Sequence, residues 1–294
     1  MTSGTQTSRH PAGPQAPLPR PPRLPGPEAG FGALLRDWRN RRGISQLEMA
    51  LRSGVSQRHV SFLETGRAKP SREMVIQLAG ALDVPLRQQN ALLLAAGFAP
   101  VYRESDLGAP ELSEVRHALD HMLAQQEPYP AVVIDRLWNL LQANRSAQLF
   151  TQALLPAGFA PPADGALNLL KLVLDPKGLK PAIVNWEETA RYLVQATYSE
   201  VLSDGGDAQA VAFIDEIMAY PDVAPLMRRA PAIGRPLPVL SVEYRLGTER
   251  VKVFTTIATL GTPQDVTLQE IRIENFFPTD AASEKYFRAL ATSG

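Results

Sequence analysis

The chain has 294 residues, of which 45% are apolar, so it is long enough for two domains with buried cores. It contains no cysteine, which excludes disulfide bonds and thiolate metal sites. The formal net charge is zero, yet residues 1–100 carry 13 Lys and Arg against 6 Asp and Glu, whereas residues 101–294 carry 17 against 24. Because a basic segment is typical of polyanion binding, the two parts should have different partners.

Neither a membrane span nor a secretion signal is evident in the sequence. The longest apolar run covers residues 91–101, which is too short to cross a bilayer. The first residues lack the apolar segment that a signal peptide carries after its charges. We therefore expect a cytoplasmic protein without a membrane partner.

The first 29 residues differ in composition from the rest of the chain. They contain eight of the 26 prolines, together with glycine, serine, glutamine and three arginines, and they show no apolar periodicity. A segment of this composition cannot build a packed core. We predict a disordered arm at residues 1–29 whose arginines mainly add solubility.

Helical periodicity in five short pieces marks residues 30–98. Phe31, Leu34, Leu35 and Trp38 share one helical face in the first piece. Serines that suit helix starts and glycines that suit helix ends separate the pieces. The predicted helices cover residues 31–42, 46–53, 57–65, 72–82 and 86–96. Five helices of this length with short loops indicate an all-α domain.

After a linker and connecting helix at residues 99–127, the chain alternates between helix and strand patterns. Asn185 and Glu188 have the spacing of a capping box at the start of one helix. Helices are predicted at residues 111–126, 144–154, across most of 164–230 and at 281–291. Strands are predicted at residues 131–135, 138–142, 239–246, 251–260 and 267–277. Residues 128–294 should therefore form an α+β domain with one antiparallel sheet of about five strands.

Two of the predicted N-terminal helices have the spacing of a helix-turn-helix. Residues 46–53 and 57–65 are joined by a tight turn that contains Gly54, and the small Ala50 lets the two helices approach each other. A helix in the major groove of DNA presents its first turn to the base edges. The predicted base contacts are Gln57 to adenine, Arg58 to guanine, His59 beside them, and Phe62 to a thymine methyl group.

Contacts to the DNA backbone are predicted on both sides of that second helix. Gln46 opens the preceding helix, where an amide side chain and N-terminal N–H groups suit a phosphate. The loop after the second helix carries further polar and basic side chains: Thr65, Arg67, Lys69 and Ser71. These five residues and the four base contacts form the predicted DNA-binding face.

The motif from Ile44 to Pro70 resembles the Cro/lambda-repressor class of bacterial regulators, often called the Xre family. The matching letters are Ile44-Ser-Gln, Ala50, Gly54-Val-Ser, Val60-Ser, Glu64, Gly66 and Pro70. The likeness covers about residues 31–96, and it implies that Arg39 of the first helix pairs with Glu64. A helical bundle without a DNA role is the alternative, but such a bundle has no need of an exposed basic face.

The C-terminal part resembles the MmyB-like regulators, which join a helix-turn-helix of this type to a PAS-like ligand-binding domain. The likeness lies in residues 129–135, 185–188, 262–268 and 271–278. Regulators of that family are thought to sense small hydrophobic molecules such as fatty acids. The resemblance implies a pocket between sheet and helices, with these candidate lining residues: Ile134, Trp138, Trp186, Tyr192, Phe254 and Phe276. Ordinary core packing is the alternative explanation for each of them.

Signals for catalysis or metal binding are weak. His117 and His121 lie four residues apart on a predicted helix with acidic side chains nearby, but the sequence places no third ligand. The chain has no glycine-rich phosphate loop and no nucleophile elbow. We therefore predict no enzyme activity, no catalytic residue, no metal and no cofactor, apart from a bound fatty acid or similar apolar molecule.

Together these patterns predict a cytoplasmic, nucleoid-associated transcription regulator that binds a double-stranded DNA operator. A small hydrophobic, fatty-acid-like ligand in the C-terminal domain is expected to switch it. We also expect a homodimer, whose half-sites would lie about one helical turn apart, roughly 10–10.5 bp. The alternative is a constitutive repressor whose C-terminal domain serves only dimerisation or protein contacts.

Overall fold

The N-terminal domain is helical, as the sequence predicts. The computed structural model describes residues 30–162, 166–229 and 239–292, so the predicted arm lies outside the described residues. The helices of this domain are α1 (Phe31–Arg41), α2 (Gln46–Ser53), α3 (Gln57–Glu64), α4 (Arg72–Ala81) and α5 (Leu86–Ala95). The predicted all-α class is confirmed, and the helix ends differ from the prediction by at most one residue.

Serine caps fix where α2, α3 and α4 begin. The hydroxyl oxygens of Ser45, Ser56 and Ser71 each accept a hydrogen bond from the backbone N–H three residues later, at 3.0, 3.3 and 3.2 Å. Each cap satisfies an N–H that the first helical turn leaves without a partner. Gly54 ends α2 in the left-handed conformation with φ 68°, which favours glycine. Local sequence therefore specifies the turn between α2 and α3.

The core of the N-terminal domain lies between its helices and contains Trp38 of α1, Leu63 of α3, Leu78 of α4 and Leu93 of α5. Gly32 allows α1 to approach the end of α3 closely. A Cβ atom at this position would lie 2.3 Å from the carbonyl oxygen of Leu63. Any other residue at position 32 would therefore push α1 away from α3.

The C-terminal domain combines helices with one sheet, so the predicted α+β class is confirmed. Its strands are β1 (Ala131–Ile134), β2 (Leu140–Ala143), β3 (Ser241–Leu246), β4 (Glu249–Ala258) and β5 (Arg272–Pro278). Its helices are α6 (Ser113–Gln125), α7 (Arg145–Leu154), α8 (Leu169–Leu174), α9 (Trp186–Ser203), α10 (Ala208–Met218), α11 (Val223–Arg228), α12 (Val266–Glu270) and α13 (Ala281–Thr292). Short 3-10 helices cover Pro110–Leu112 and Lys180–Ala182.

The described strands form one antiparallel sheet in the order β2–β1–β5–β4–β3. Val132 pairs with Glu274 and Thr255 pairs with Phe276, so these four side chains share one face of the sheet. That face is turned toward α7, α8 and α9. The opposite face, which includes Ile273, packs against α6. Helices therefore cover both faces of the sheet at β1 and at the start of β5, whereas Thr256 and Ile257 of β4 are exposed.

The predicted strand at residues 267–277 is wrong in its first part. Val266–Glu270 form the short helix α12 instead. The Asp265 side chain accepts a hydrogen bond from the N–H of Thr267 at 2.9 Å, which caps this helical turn. β5 begins only at Arg272. The cap therefore determines the local structure although the apolar residues alternate in part.

The turn between β1 and β2 is longer than the sequence predicts and covers residues 135–139. Asp135 Oδ1 accepts hydrogen bonds from the backbone N–H groups of Leu137 and Asn139, at 2.8 and 2.9 Å. Trp138 within this turn has φ 67°, a value that is uncommon for residues other than glycine. β2 consequently begins at Leu140 rather than at residue 138, and the Trp138 indole packs among the helices.

The predicted capping box at Asn185 is wrong, because its side chain makes no cap hydrogen bond to α9. Asn185 Oδ1 accepts from the N–H of Glu243 at 2.9 Å, and Nδ2 donates to the Ser241 carbonyl oxygen at 2.8 Å. Nδ2 also lies 3.2 Å from Glu188 Oε2. The amide therefore ties the start of α9 to β3. One face of α9 is buried or half-buried and carries Ala190, Leu193, Val194, Thr197 and Val201.

Candidate DNA-binding face and ligand cavity

The predicted base-contacting residues lie on the solvent side of α3. Gln57 and Arg58 are exposed and His59 is half-exposed, whereas Val60 and Leu63 are buried against the rest of the domain. The first turn of α3 therefore directs polar side chains outward. This is the arrangement that a helix needs in order to read base edges in a major groove.

Two of the predicted base contacts touch each other. Arg58 Cζ lies 5.2 Å from the centroid of the Phe62 ring, which is a cation–π geometry. The ring supports a guanidinium group whose fork of N–H donors matches the guanine edge. The structure thus brings Arg58 and Phe62 together on one patch of α3.

The predicted phosphate contacts after α3 are all exposed. Thr65, Arg67, Lys69 and Ser71 lie between the end of α3 and the start of α4. The Thr65 hydroxyl donates to the Ser61 carbonyl oxygen at 2.8 Å, and the Ser71 hydroxyl caps α4. The two hydroxyl groups are therefore held in place by the helices next to them. Phosphate contacts by these residues stay predictions.

Glu64 holds α3 in place on the side that faces α1 and α2. Its side chain is fully buried, and its two oxygens accept from Arg39 Nε at 2.6 Å and from Arg39 Nη2 at 3.1 Å. The pair that the resemblance implies is therefore present. Gln46 is predicted to contact phosphate, but its Nε2 donates to Glu64 Oε2 at 2.8 Å. The amide of Gln46 thus contributes to holding α2 and α3 together.

The environment of Glu64 keeps its carboxyl ionised. Burial alone would raise the pKa of Glu64, but hydrogen bonds from Arg39 and Gln46 and the charges of Arg39 and Arg36 hold that pKa below its ordinary value. Arg39 Nη1 also donates to the Ile44 carbonyl oxygen at 2.9 Å. One buried carboxylate therefore connects α1, α2 and α3.

A cavity of about 1180 Å³ lies between the sheet and α7, α8 and α9. Four residues of the predicted pocket line it: Trp138, Trp186, Tyr192 and Phe276. The structure adds apolar lining residues that sequence reasoning missed, among them Phe150, Leu154, Leu170 and Val242. These residues are ordinary core types in the sequence, so only the packing of sheet against helices identifies them.

Ile134 and Phe254 of the predicted pocket do not line this cavity. Ile134 is buried among core side chains beyond the cavity wall. Phe254 stacks on Phe277, with ring centroids 5.6 Å apart, and neighbours Thr255, which does line the cavity. Since successive residues of a strand point to opposite faces, Phe254 belongs to the other side of β4.

The two tryptophans present apolar rings to the cavity. Trp138 Nε1 donates to Thr197 Oγ1 at 3.0 Å, and Trp186 Nε1 donates to the Val173 carbonyl oxygen at 3.0 Å. Both indole N–H groups are thus satisfied within the protein. An occupant of the cavity would meet their hydrocarbon surface, which suits an apolar molecule.

Comparison with known families agrees with this geometry. The family model of the MmyB-like transcription regulator ligand binding domain matches residues 115–290, and a helix-turn-helix family model matches residues 35–89. The chain belongs to the MmyB-like family of transcription regulators. No curated protein matches the chain. The two matched segments contain α3 and the cavity respectively, so this MmyB-like protein is a DNA-binding transcription regulator with a ligand-binding domain.

Ion pairs connect the two domains of this MmyB-like regulator. Arg87 Nε of α5 lies 2.7 Å from Glu270 Oε1 of α12. Arg136, in the turn between β1 and β2, lies 3.3 Å from Glu270 Oε2 and 2.9 Å from Asp207 Oδ2. Hydrogen bonds that Arg87 donates to Glu270 and Glu104, opposed by burial, raise the pKa of Arg87. A continuous charged chain therefore runs from the helix-turn-helix domain to the turn that contains Trp138.

Charged groups at the cavity divide into a rim and a buried wall. Glu187, Glu188 and Arg229 are exposed and Arg191 is half-exposed. Arg191 Nη1 donates to the Arg229 carbonyl oxygen at 2.9 Å. These four residues form the cavity rim. They allow an elongated molecule to keep a charged end near solvent while its chain lies inside.

Glu274 is the polar cavity residue that sequence reasoning missed. It lies on β5 beside Phe276 and is only 7% exposed. Burial raises the pKa of Glu274, and a hydrogen bond from the Thr255 hydroxyl and the charge of Arg272 offset this in part. Glu274 and Phe276 are two residues apart on a predicted strand, so the sequence could have placed Glu274 on the same face as Phe276.

Two further features of the described residues concern metal binding and membrane crossing. His117 and His121 are exposed on α6, and His121 Nε2 lies 2.8 Å from Gln125 Nε2. No group of three or more potential metal ligands occurs in the described ranges. In the same ranges, every helix is too short or too polar to cross a membrane.

Proposed function

We propose that this regulator recognises an operator through α3 and that a small, mostly apolar molecule in the cavity changes its affinity for that operator. The observation that carries the ligand part is the cavity of about 1180 Å³, with its tryptophan and aliphatic lining. Such a lining suits a fatty-acid-like molecule. A constitutive repressor would be expected to have a closed core at this place, so the cavity speaks against that alternative.

The DNA part rests on the exposed first turn of α3 and the basic loop behind it. Arg58 would pair with a guanine edge, and Lys69 would neutralise a phosphate. We further propose a homodimer that binds two half-sites about 10–10.5 bp apart. Its place of action would be the nucleoid in the cytoplasm, where the operator lies.

Switching requires two conformations that the ligand binds with different affinity. Trp138 lines the cavity, and Arg136 in the same turn contacts Glu270, which contacts Arg87 of the helix-turn-helix domain. A ligand that displaces Trp138 would therefore change the ion pair between the domains. We propose this route for the signal because it consists of direct contacts that both sites can bias.

The split between base and phosphate contacts can be tested on an operator selected from random DNA. Arg58→Ala should lose about 1–3 kcal/mol of discrimination at one base position. Lys69→Ala should weaken binding to all sequences alike and reduce the salt dependence by about one unit of slope. Arg288→Ala, an exposed arginine of α13, is the control and should change neither quantity. Equal losses on selected and random DNA for both variants would contradict the assignment.

Ligand binding can be tested with dodecanoic acid as the probe. The wild-type protein should bind it and unfold at a higher temperature in its presence, because a ligand specific for the folded state stabilises that state. Ala147→Phe, a buried cavity residue of α7, should fill the space and weaken binding. Unchanged affinity in this variant would place the binding site elsewhere.

The route between the domains can be tested with Glu270→Gln. This variant should still bind dodecanoic acid, since Glu270 lies outside the lining of the cavity. It should lose the effect of dodecanoic acid on operator affinity, because the ion pairs with Arg87 and Arg136 are weakened. A full ligand effect in Glu270→Gln would exclude this route.

A further inference from the structure

Glu274 is a buried carboxyl group in the wall of a cavity whose lining is largely apolar. It lies on the face of the sheet that also carries Val132, Thr255 and Phe276, and all four residues line the cavity. The acidic and basic residues of the rim are exposed or half-exposed, whereas Glu274 is 7% exposed. Glu274 therefore faces the inner part of the cavity, away from the rim.

Among the described residues, no cation pairs with the Glu274 carboxyl. Within the described residues no lysine, arginine or histidine lies within ion-pair distance of it. Arg272, two residues earlier on the same strand, is paired with Glu200 of α9. In the part of the chain that the structure describes, the Thr255 hydroxyl is the hydrogen-bond partner of the Glu274 carboxyl that lowers its pKa. A carboxyl group has room for more hydrogen bonds than this one donor supplies.

A buried carboxyl group such as that of Glu274 lowers the stability of the ligand-free protein. A buried polar group with unfilled hydrogen-bonding capacity destabilises the folded state, and an apolar residue at this position would pack without that cost. The raised pKa of Glu274 agrees with this cost, because burial disfavours the charged carboxylate. A partner that enters with the ligand would remove the cost.

We propose that the cavity selects apolar molecules that carry a hydroxyl group, and that the Glu274 carboxyl hydrogen-bonds this hydroxyl at the inner wall. The inference rests on the proposed ligand-binding function and defines the class of ligand. A hydroxyl group can both donate to and accept from a carboxyl group. An unsubstituted chain would leave Glu274 without this partner, and a site built for a hydroxyl discriminates against analogues that lack it.

The rim allows a chain to carry a second polar end. Arg191 and Arg229 lie at the opening and can accompany a carboxylate in solvent. A chain with a carboxylate at one end and a hydroxyl at the other end would then place each group beside a matching residue. Suitable probes are therefore 12-hydroxydodecanoic acid and dodecanoic acid, which differ only in the terminal hydroxyl.

The test measures the affinity of the full-length protein for both probes by calorimetry. Wild-type protein should bind 12-hydroxydodecanoic acid about tenfold more tightly than dodecanoic acid, a ratio that one well-made hydrogen bond provides. In Glu274→Leu the preference should reverse, because the hydroxyl would be buried without a partner. Glu274→Gln keeps a donor and an acceptor and should retain the preference for the hydroxylated chain.

A control variant and the pattern of outcomes separate the hydroxyl inference from the wider proposal. Glu243→Gln changes a carboxylate on β3 that is paired with Arg250 and lies outside the lining, so it should leave the preference unchanged. Equal affinity of both probes for the wild type, or a preserved preference in Glu274→Leu, would overturn the hydroxyl inference but leave the cavity as a ligand site. Failure of the wild type to bind either probe would overturn both.

Discussion

Glu64 and Glu274 are glutamates buried to a similar degree in the two domains, with 4% and 7% of their surface exposed. Glu64 accepts hydrogen bonds from Arg39 and Gln46, and its pKa lies below the ordinary value despite its burial. Glu274 has a threonine hydroxyl beside it and a pKa above the ordinary value because of burial. The same side chain is therefore a charged anchor in one domain and, among the described residues, a carboxyl without a paired cation in the other.

The difference separates structural from binding roles. The partners of Glu64 come from α1 and α2, so its carboxylate fixes the position of α3 without any external molecule. Glu274 faces an open cavity and has no cationic partner among the described residues, so a molecule that enters can supply a partner. Completeness of the internal hydrogen bonding, rather than burial, distinguishes the two glutamates.

The largest effect is expected from Arg39→Met, which removes the main partner of Glu64. Breaking a buried ion pair on one side typically costs about 3–5 kcal/mol. Urea unfolding at pH 7, followed in the N-terminal domain, should show a loss of this size. Arg52→Met breaks an exposed pair with Glu48 in the same domain and should cost less than about 1 kcal/mol. Equal losses in the two variants would show that Glu64 is no anchor.

Glu274→Leu should act in the opposite direction. Without ligand, replacing the carboxyl by an apolar side chain should stabilise the C-terminal domain by about 1–3 kcal/mol, the penalty of an incompletely bonded buried group. Thermal unfolding of ligand-free protein measures this change. Glu243→Gln, which weakens the ion pair with Arg250, should give no stabilisation. A destabilised Glu274→Leu protein would mean that the carboxyl serves the fold.

The two glutamates should also differ in the pH dependence of stability. The pKa of Glu64 is lowered in the folded state, so its contribution is present above the ordinary value of 4.5 and is lost as pH falls through the folded pKa. The pKa of Glu274 is raised, so wild-type stability falls as pH rises from 4.5 through the folded pKa.

Unfolding free energies of Glu64→Gln and Glu274→Gln, compared with wild type between pH 3 and pH 8, check both signs. The loss in Glu64→Gln should shrink below about pH 4.5. The relative gain in Glu274→Gln should grow above that pH. Parallel curves for the two variants would contradict the opposite pKa directions.

The smallest effect is expected from Thr255→Val, which removes the hydroxyl that donates to Glu274. The loss of one such hydrogen bond costs about 0.5–1.5 kcal/mol, and the pKa of Glu274 should rise further. Thr256→Val, at an exposed neighbouring position, is the matched control and should remain within about 0.5 kcal/mol of wild type. Thermal unfolding at pH 7 distinguishes the two variants.

The helix-turn-helix domain is readable from the sequence because its signals are local. Serine caps and Gly54 define α2 and α3 within one residue, and the contrast of Gln57 and Arg58 with buried Val60 defines the outer face. The pair between Arg39 and Glu64 spans 25 residues and was expected only through the family resemblance. Local capping therefore explains most of what could be predicted here.

The cavity was less predictable because its wall depends on the packing of distant elements. In β5, Ile273 alternates with Arg272 and Glu274, a pattern that indicates a solvent face opposite a core face. The sheet is instead covered on both sides, by α6 and by the helices around the cavity. The charged positions of this strand are therefore enclosed. The prediction that Phe254 lines the cavity was wrong for a related reason. The presence of a phenylalanine in the sequence does not reveal which face of β4 carries its side chain.

The turn between β1 and β2 has a consequence for how such regulators diversify. Arg136 and Trp138 lie two residues apart, one in the ion pair to the neighbouring domain and the other in the cavity wall. About half of the lining residues lie on α7, α8 and α9, outside this turn. Substitutions there can alter chemical preference while the linkage between domains persists. New effectors could thus be acquired without rebuilding the genetic switch.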